Sequence, residues 1–399
     1  MNFLAAAKRE IGALAHAMSA LNSRIFEKPE LNFKEHFAAG RITDALAKEG
    51  FKIRLGRKKL GTAFEASWRG GRQRPVVAIL AEYDALPNLG HACGHSMIAA
   101  AAYGSAVAAK RILGKRCGTL KVVGTPGEEG GGGKLLMIRE GWFKGIDAVI
   151  MAHPSNRNRA VARMLAVMEL EFKFFGKSSH AAAHPEHGIN ALDAVIMLFN
   201  GVNAMRQQTP NFSRVHGIIT RGGDAPNIIP EFASAKFFVR GLTVGDFEFV
   251  LEKVVKCARA AATATGCKLK VVKNPVFYLP FEPNRTMGKV FRKHMDAVGL
   301  RDGGTPENEE IGSSDIGNLS QVVPALHPEF AVSGPDVVNH SRDFLKAVTS
   351  KKGMDAMLKA SAALTATVCD LFTNPSLMEA VRREFASSHL GLKSTKRKS

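Results

Sequence analysis

At 399 residues, 45% of them hydrophobic, the chain is long enough to bury two cores, and no run of about 20 apolar residues offers a membrane span. Lys8, Arg9 and Glu10 fall where a secretory leader would be apolar, so a cytoplasmic protein without a membrane partner is expected. The formal charge is +19, of which residues 391–399 carry four, and such a field favours an anionic small-molecule substrate; nucleic acid is not expected as a partner, because Lys and Arg do not cluster on a reading element.

Helical spacing runs from Phe3 to about Leu21 and again over Asp44 to Glu49, closed by Gly50. VVAILA at 76–81 is a continuous apolar run, as in a strand covered on both faces, and it stops at Glu82, Tyr83 and Asp84. LKVVGT at 120–125 runs into PGEEGGGG, and DAVIMA at 147–152 runs into His153 and Pro154. Helical stretches follow HACGH (91–95) and the glycines. This alternation predicts an α/β fold, a mainly parallel sheet with helices on both faces, whose strand ends bring these ionisable residues together. Beyond Leu165 the order strand, helix, two strands, helix, strand predicts a smaller inserted α+β domain. The expected division is 1–164 with 284–399 for the first domain and 165–283 for the insert. Five scattered cysteines, Cys93, Cys117, Cys257, Cys267 and Cys369, make no disulfide framework and fit a reducing compartment.

Thiolate and imidazole at the spacing of Cys93 and His95, in a turn allowed by Gly94, can hold a divalent metal. Glu128 and Glu129 share a glycine-rich loop in which one carboxylate can bind metal while the other moves protons. Lys134 after the glycines looks like part of a phosphate loop, but that spacing needs Gly at Glu128 and Ser or Thr at Leu135. With His153 and His340, the donors Cys93, His95 and Glu129 make a set of five, suited to two ions sharing a ligand. His16, His36, His187, His294 and His389 lie in polar or helical surroundings and are read as structural.

The ordered segments EYDALP, HACGH, GTPGEEGGGG, MAHP, GKSSHAAAHPEHGINALDA, APNIIP, SSDIGNLS and NHS resemble a metallopeptidase and amidohydrolase family. It includes carboxypeptidase G, hippurate hydrolase and indole-acetyl-amino-acid hydrolases, and the branch of aminobenzoyl-glutamate hydrolase and Xaa-Arg or β-alanyl-lysine dipeptidase is most similar. The resemblance implies that Cys93, His95, Glu129, His153 and His340 bind one or two divalent ions and that Glu128 is the general acid/base. It also implies that the insert is a lid and dimerisation domain of a homodimer. There His180 would stabilise an oxyanion, reaching into the neighbouring protomer's site, and Asn227 and Arg240 would bind the substrate. A thiolate ligand favours zinc; carboxylate and imidazole accept manganese. Two departures stand out: Glu82 occupies a position where the wider family has histidine, and Ser96 one where Asp or Asn is expected, a change that could loosen one metal position. The expected function is hydrolysis of an amide C–N bond in an N-acyl or aminobenzoyl amino acid or a dipeptide. The alternatives are hydrolytic deamination of an aminoaromatic acid at the same site and, more remotely, a non-catalytic anion or nucleic-acid binder.

Overall fold

In a computed structural model, which describes residues 3–304 and 311–395, with side chains to residue 388, the chain divides into two units. One comprises Met1–Arg163, Glu282–Glu310 and Asn318–Ser399; the other comprises Met164–Phe281 and Ile311–Gly317.

The first unit is built on a six-stranded sheet. Its strands are β1 (Lys52–Leu55), β2 (Phe64–Arg69), β3 (Val76–Ala81), β4 (Thr119–Gly124), β5 (Ala148–Ile150) and, after the insert, β11 (Ala325–Leu326). They lie in the order β1-β2-β4-β3-β5-β11, and a short parallel pair joins β6 (His153–Ser155) to β12 (Glu329–Ala331). β3, β4, β5 and β11 run parallel, while β1 and β2 add an antiparallel edge. The apolar run of β3 is buried beyond Val76, as a central strand covered on both faces requires.

The helix His95–Leu113 leaves the HACGH turn and packs on β3 and β4. Its alanine-rich surface is buried almost all round, and small side chains let the helices Phe3–Glu27 and Lys351–Thr373 lie close against it. At Gly104 a Cβ would overlap the Met18 sulfur, so closeness there depends on glycine. The first helix runs to Glu27, past the expected Leu21, because Leu21, Asn22 and Ile25 keep a buried face.

The second unit is an antiparallel sheet of β7 (Ala166–Phe175), β8 (Arg214–Arg221), β9 (Phe232–Gly241) and β10 (Lys268–Tyr278), in the order β10-β7-β9-β8. Alternation sends Leu170, Phe172, Phe174, Ala233, Ala235, Phe237 and Val239 into one core with the helices Ala191–Met205 and Val244–Thr265. Asn190 caps the first helix, and a capping box between Thr243 and Asp246 starts the second. Residues 311–317, assigned from sequence to the first domain, group with this unit instead. The Leu165 amide donates to the Gly312 carbonyl, and Arg240 Nη1 donates to Ser313 Oγ.

Candidate metal centre

Four segments of the first unit bring six singled-out side chains together. Cys93 and His95 come from the turn after β3, Glu128 and Glu129 from the loop after β4, His153 from the start of β6 and His340 from the loop before the helix Arg342–Val348. Donor atoms within 4.8 Å of one another form three overlapping groups: Cys93, His95 and His153; Cys93, Glu129 and His340; His95, Glu128 and Glu129. Cys93, His95 and Glu129 each belong to two of the groups, so the donor sets interlock as those of two neighbouring ions with a shared ligand would.

Local backbone geometry builds this cluster. Gly94 takes a left-handed φ of 83°, and a Cβ there would overlap the Pro154 ring, so glycine both turns the chain and lets Cys93 approach His153. Cys93 Sγ lies 3.7 Å from His153 Nε2. The His340 amide donates to the Ala92 carbonyl, tying the two loops, and His340 itself sits at φ 64°, uncommon for a residue with a Cβ. Of the glycines at 130–133, Gly131 and Gly133 are held close to their surroundings. A Cβ on Gly133 would overlap the Pro126 carbonyl, and one on Gly131 would stand 2.7 Å from the Phe33 ring.

The imidazoles are oriented with one nitrogen committed. His95 Nδ1 donates to Asp84, 3.0 Å from its carbonyl oxygen and 3.1 Å from Oδ1, and His153 Nδ1 donates to the Pro154 carbonyl at 2.6 Å. In neutral rings both Nε2 atoms are then lone-pair donors turned toward the cluster. His95 Nε2 lies 3.9 Å from Glu128 Oε2 and 4.0 Å from Glu129 Oε1. Among the described residues His95 Nε2 and Glu129 Oε1 are buried with no hydrogen-bond partner, although Glu82 Oε2 approaches the first and His340 Nε2 the second, each to 3.4 Å. Buried orphan groups of this kind are costly unless a cation satisfies them, so the donor set fits a divalent metal.

For three of the ligands electrostatics point the same way; burial would lower His95 too, but Cys93 and Asp84 outweigh it and push this ring up, so it must give up a proton to bind metal. Burial, reinforced by the Glu129 carboxylate, pushes the Cys93 thiol well up, as expected where a metal would have to replace the thiol proton. Burial, with the neighbouring His95, pushes His153 down, favouring the neutral ligand form. Burial would raise Glu129, but the nearby His340 and His95 imidazoles outweigh it and hold its carboxyl low.

Asp84 has a larger part than its place in EYDALP suggests. Besides holding His95, its Oδ2 accepts the Glu129 amide at 2.9 Å, so one buried carboxylate orients ligands from two loops. Ser96 Oγ is buried without a hydrogen-bond partner, so among the described residues Asp84, not residue 96, anchors His95. Lys134, read from sequence only as a failed phosphate-loop lysine, is buried and hydrogen-bonds Glu82. No motif or spacing singles out His327, whose ring packs 5.3 Å from that of His153.

The three remaining residues lie in the second unit. His180 and Asn227 are backbone neighbours: the Ala181 amide donates to the Asn227 carbonyl, and His180 bridges to Ile228. The Ala182 and Ala183 amides donate to His180 Nδ1 at 3.2 and 3.1 Å, which leaves Nε2 as the protonated, donating nitrogen of the neutral ring. Arg240 stands on β9 opposite Arg214, its guanidinium on Ser313.

Residues 164–265 match the family model described as a peptidase dimerisation domain. The chain is 37% identical over 396 residues to Xaa-Arg dipeptidase of Mus musculus, covering 95% of this chain and 91% of that one. It is 35% identical over 393 residues to Xaa-Arg dipeptidase of Homo sapiens, covering 94% of this chain and 90% of that one. A component of the p-aminobenzoyl-glutamate hydrolase of Escherichia coli K12 is 29% identical, covering 90% of each chain. Among solved structures the chain resembles a putative aminohydrolase from methicillin-resistant Staphylococcus aureus, with TM-score 0.76 and 18% identity over 93% of this chain and all of that one. A Bacillus subtilis protein described as a dinuclear metal binding peptidase from the M20 family gives TM-score 0.67 and 21% identity over 90% of this chain and 99% of that one.

Proposed function

Because the chain belongs to the M20 peptidase family, we propose that it hydrolyses the amide bond of a small carboxylate-bearing substrate, such as an N-acyl or aminobenzoyl amino acid or a dipeptide. The observation that carries this reading is the set of three interlocking groups of facing ligands formed by Cys93, His95, Glu128, Glu129, His153 and His340. Cys93, His95, Glu129, His153 and His340 would hold divalent ions, zinc or manganese, which when bound supply Lewis acidity to the substrate carbonyl.

Glu128 then has the proton work. It takes a proton from the attacking water and passes it to the leaving amine nitrogen, general base first and general acid second. His180 donates from Nε2 to the developing oxyanion, in the partner's site of a homodimer, and Asn227 and Arg240 bind the substrate carboxylate or carbonyl. Burial lowers the pKa of Arg240, consistent with a guanidinium kept partly from water, where a carboxylate is bound more strongly. The cytoplasm is the proposed location; among the described residues no helix is long and apolar enough to cross a membrane.

Glu128→Ala tests the mechanism. Turnover of acyl-amino acids or dipeptides should fall by at least about a hundredfold even with metal held at saturation. Near-normal turnover in that variant would overturn the role.

A further inference from the structure

Beside the metal cluster, the mechanism leaves one buried ion pair unused. Lys134 is 0% and Glu82 1% exposed, and Lys134 Nζ hydrogen-bonds Glu82 Oε1. The other carboxylate oxygen, Oε2, lies 3.4 Å from His95 Nε2, the nitrogen turned toward the metal cluster. An ion held by His95 would therefore sit against Glu82. Burying an ammonium and a carboxylate costs several kcal/mol per ion before their attraction is counted, so a pair retained here needs a reason besides stability.

Charge supplies one. Glu82, Asp84, Glu128, Glu129 and Cys93 as its thiolate bring five negative charges to this pocket. Lys134 cancels one of them, and the four that remain equal the charge of two divalent cations. We propose that Lys134 is a fixed internal counter-ion. It holds Glu82 by one oxygen, keeps the other facing the ion on His95, and sets the pocket's charge for two ions instead of one. Both residues are positioning residues, and the inference rests on the metal-centre reading above.

The pair makes a prediction of opposite signs. Glu82→Gln leaves an uncompensated ammonium beside the ions, and bound Mn2+ should drop toward one equivalent or weaken by at least about tenfold. Lys134→Met leaves an extra carboxylate and should bind the first Mn2+ more tightly than wild type. The double variant Glu82→Gln/Lys134→Met removes both charges and should return to two equivalents. Equilibrium dialysis of the full chain against Mn2+ reads these numbers, with circular dichroism confirming that each variant is folded. A role in folding alone would weaken binding in both single variants and leave the double variant worst; that pattern, or wild-type binding by Glu82→Gln, overturns the proposal. Wild-type protein that binds no Mn2+ would instead sink the metal-centre reading itself.

Discussion

Asp84→Asn tests a residue that acts on the metal centre through its hydrogen bonds and its charge. Its two oxygens are used separately, Oδ1 by His95 Nδ1 and Oδ2 by the Glu129 amide. Asparagine has the same shape but one acceptor and one donor. Whichever way its amide is turned, one N–H is left facing another N–H in a fully buried position. A lost charge-assisted hydrogen bond is worth about 1.5–3 kcal/mol. Outer-shell partners of metal-bound histidines typically contribute about ten- to a hundredfold in metal affinity, or roughly 1.4–2.7 kcal/mol. The two scales overlap, so Asp84→Asn should weaken Mn2+ binding by about ten- to a hundredfold. Competition against a metal indicator measures this, alongside a thermal melt. A folded variant whose affinity stays within about twofold of wild type would refute the idea that Asp84 orients both loops.

Gly94→Ala should lower both thermal stability and metal content, because a left-handed φ costs a residue with a Cβ about 1–2 kcal/mol and the Pro154 ring must also yield; wild-type melting and metal content in this variant would contradict it. Metal affinity should rise with pH by at least about tenfold per unit near neutrality, since binding releases the proton that the raised Cys93 thiol otherwise keeps; a flat profile in the same competition assay would argue against thiolate ligation. In metal-free protein Asp84 contributes in the same direction. Burial would raise its carboxyl, but His95 and the Glu129 amide hold it below its ordinary 3.8, so its stabilisation is in place above that pH and is lost as pH falls through the lowered value, readable in acid melts. Ile218→Lys, at a 64% exposed position on the edge strand β8, should convert a dimer to monomer in light scattering if copies associate along that edge; an unchanged mass would move the interface elsewhere.

Much of the site is legible in the sequence because its residues sit where apolar runs end. The abrupt stops of β3, β4 and the 147–152 run put Glu82, Asp84, Glu128, Glu129 and His153 on one side of a parallel sheet by pattern alone. Pattern does not say which of them bond to one another. Asp84 and Glu82 lie two residues apart at one strand end, yet one orients His95 and Glu129 while the other meets Lys134. Ser96 looks like a weak point of the metal site because it is adjacent to His95 in sequence. On the helix that starts at His95, the neighbouring side chain instead points elsewhere, with its hydroxyl unpartnered. Residues 311–317 are hard to place for a related reason: backbone pairing to Leu165 leaves no periodic signature in so short a stretch. The second unit is readable almost strand by strand, because a half-exposed antiparallel sheet writes its alternation into the sequence.

Phe33 has a consequence for how this chain can vary. Its ring occupies the space that side chains on Gly127 and Gly131 would need, and the adjacent Asn32 donates to the Glu129 carbonyl. The loop carrying both acidic residues is therefore cast against a segment almost a hundred positions earlier. A mutational scan should find residues 126–134 nearly intolerant and Phe33 intolerant with them, although Phe33 bears no reactive group. Trimming the chain from its N-terminus past that point should disable the reaction although every reactive residue is still present in the sequence. Directed evolution toward new substrates would do better to randomise other segments, since here the room for novelty is already filled by an aromatic ring.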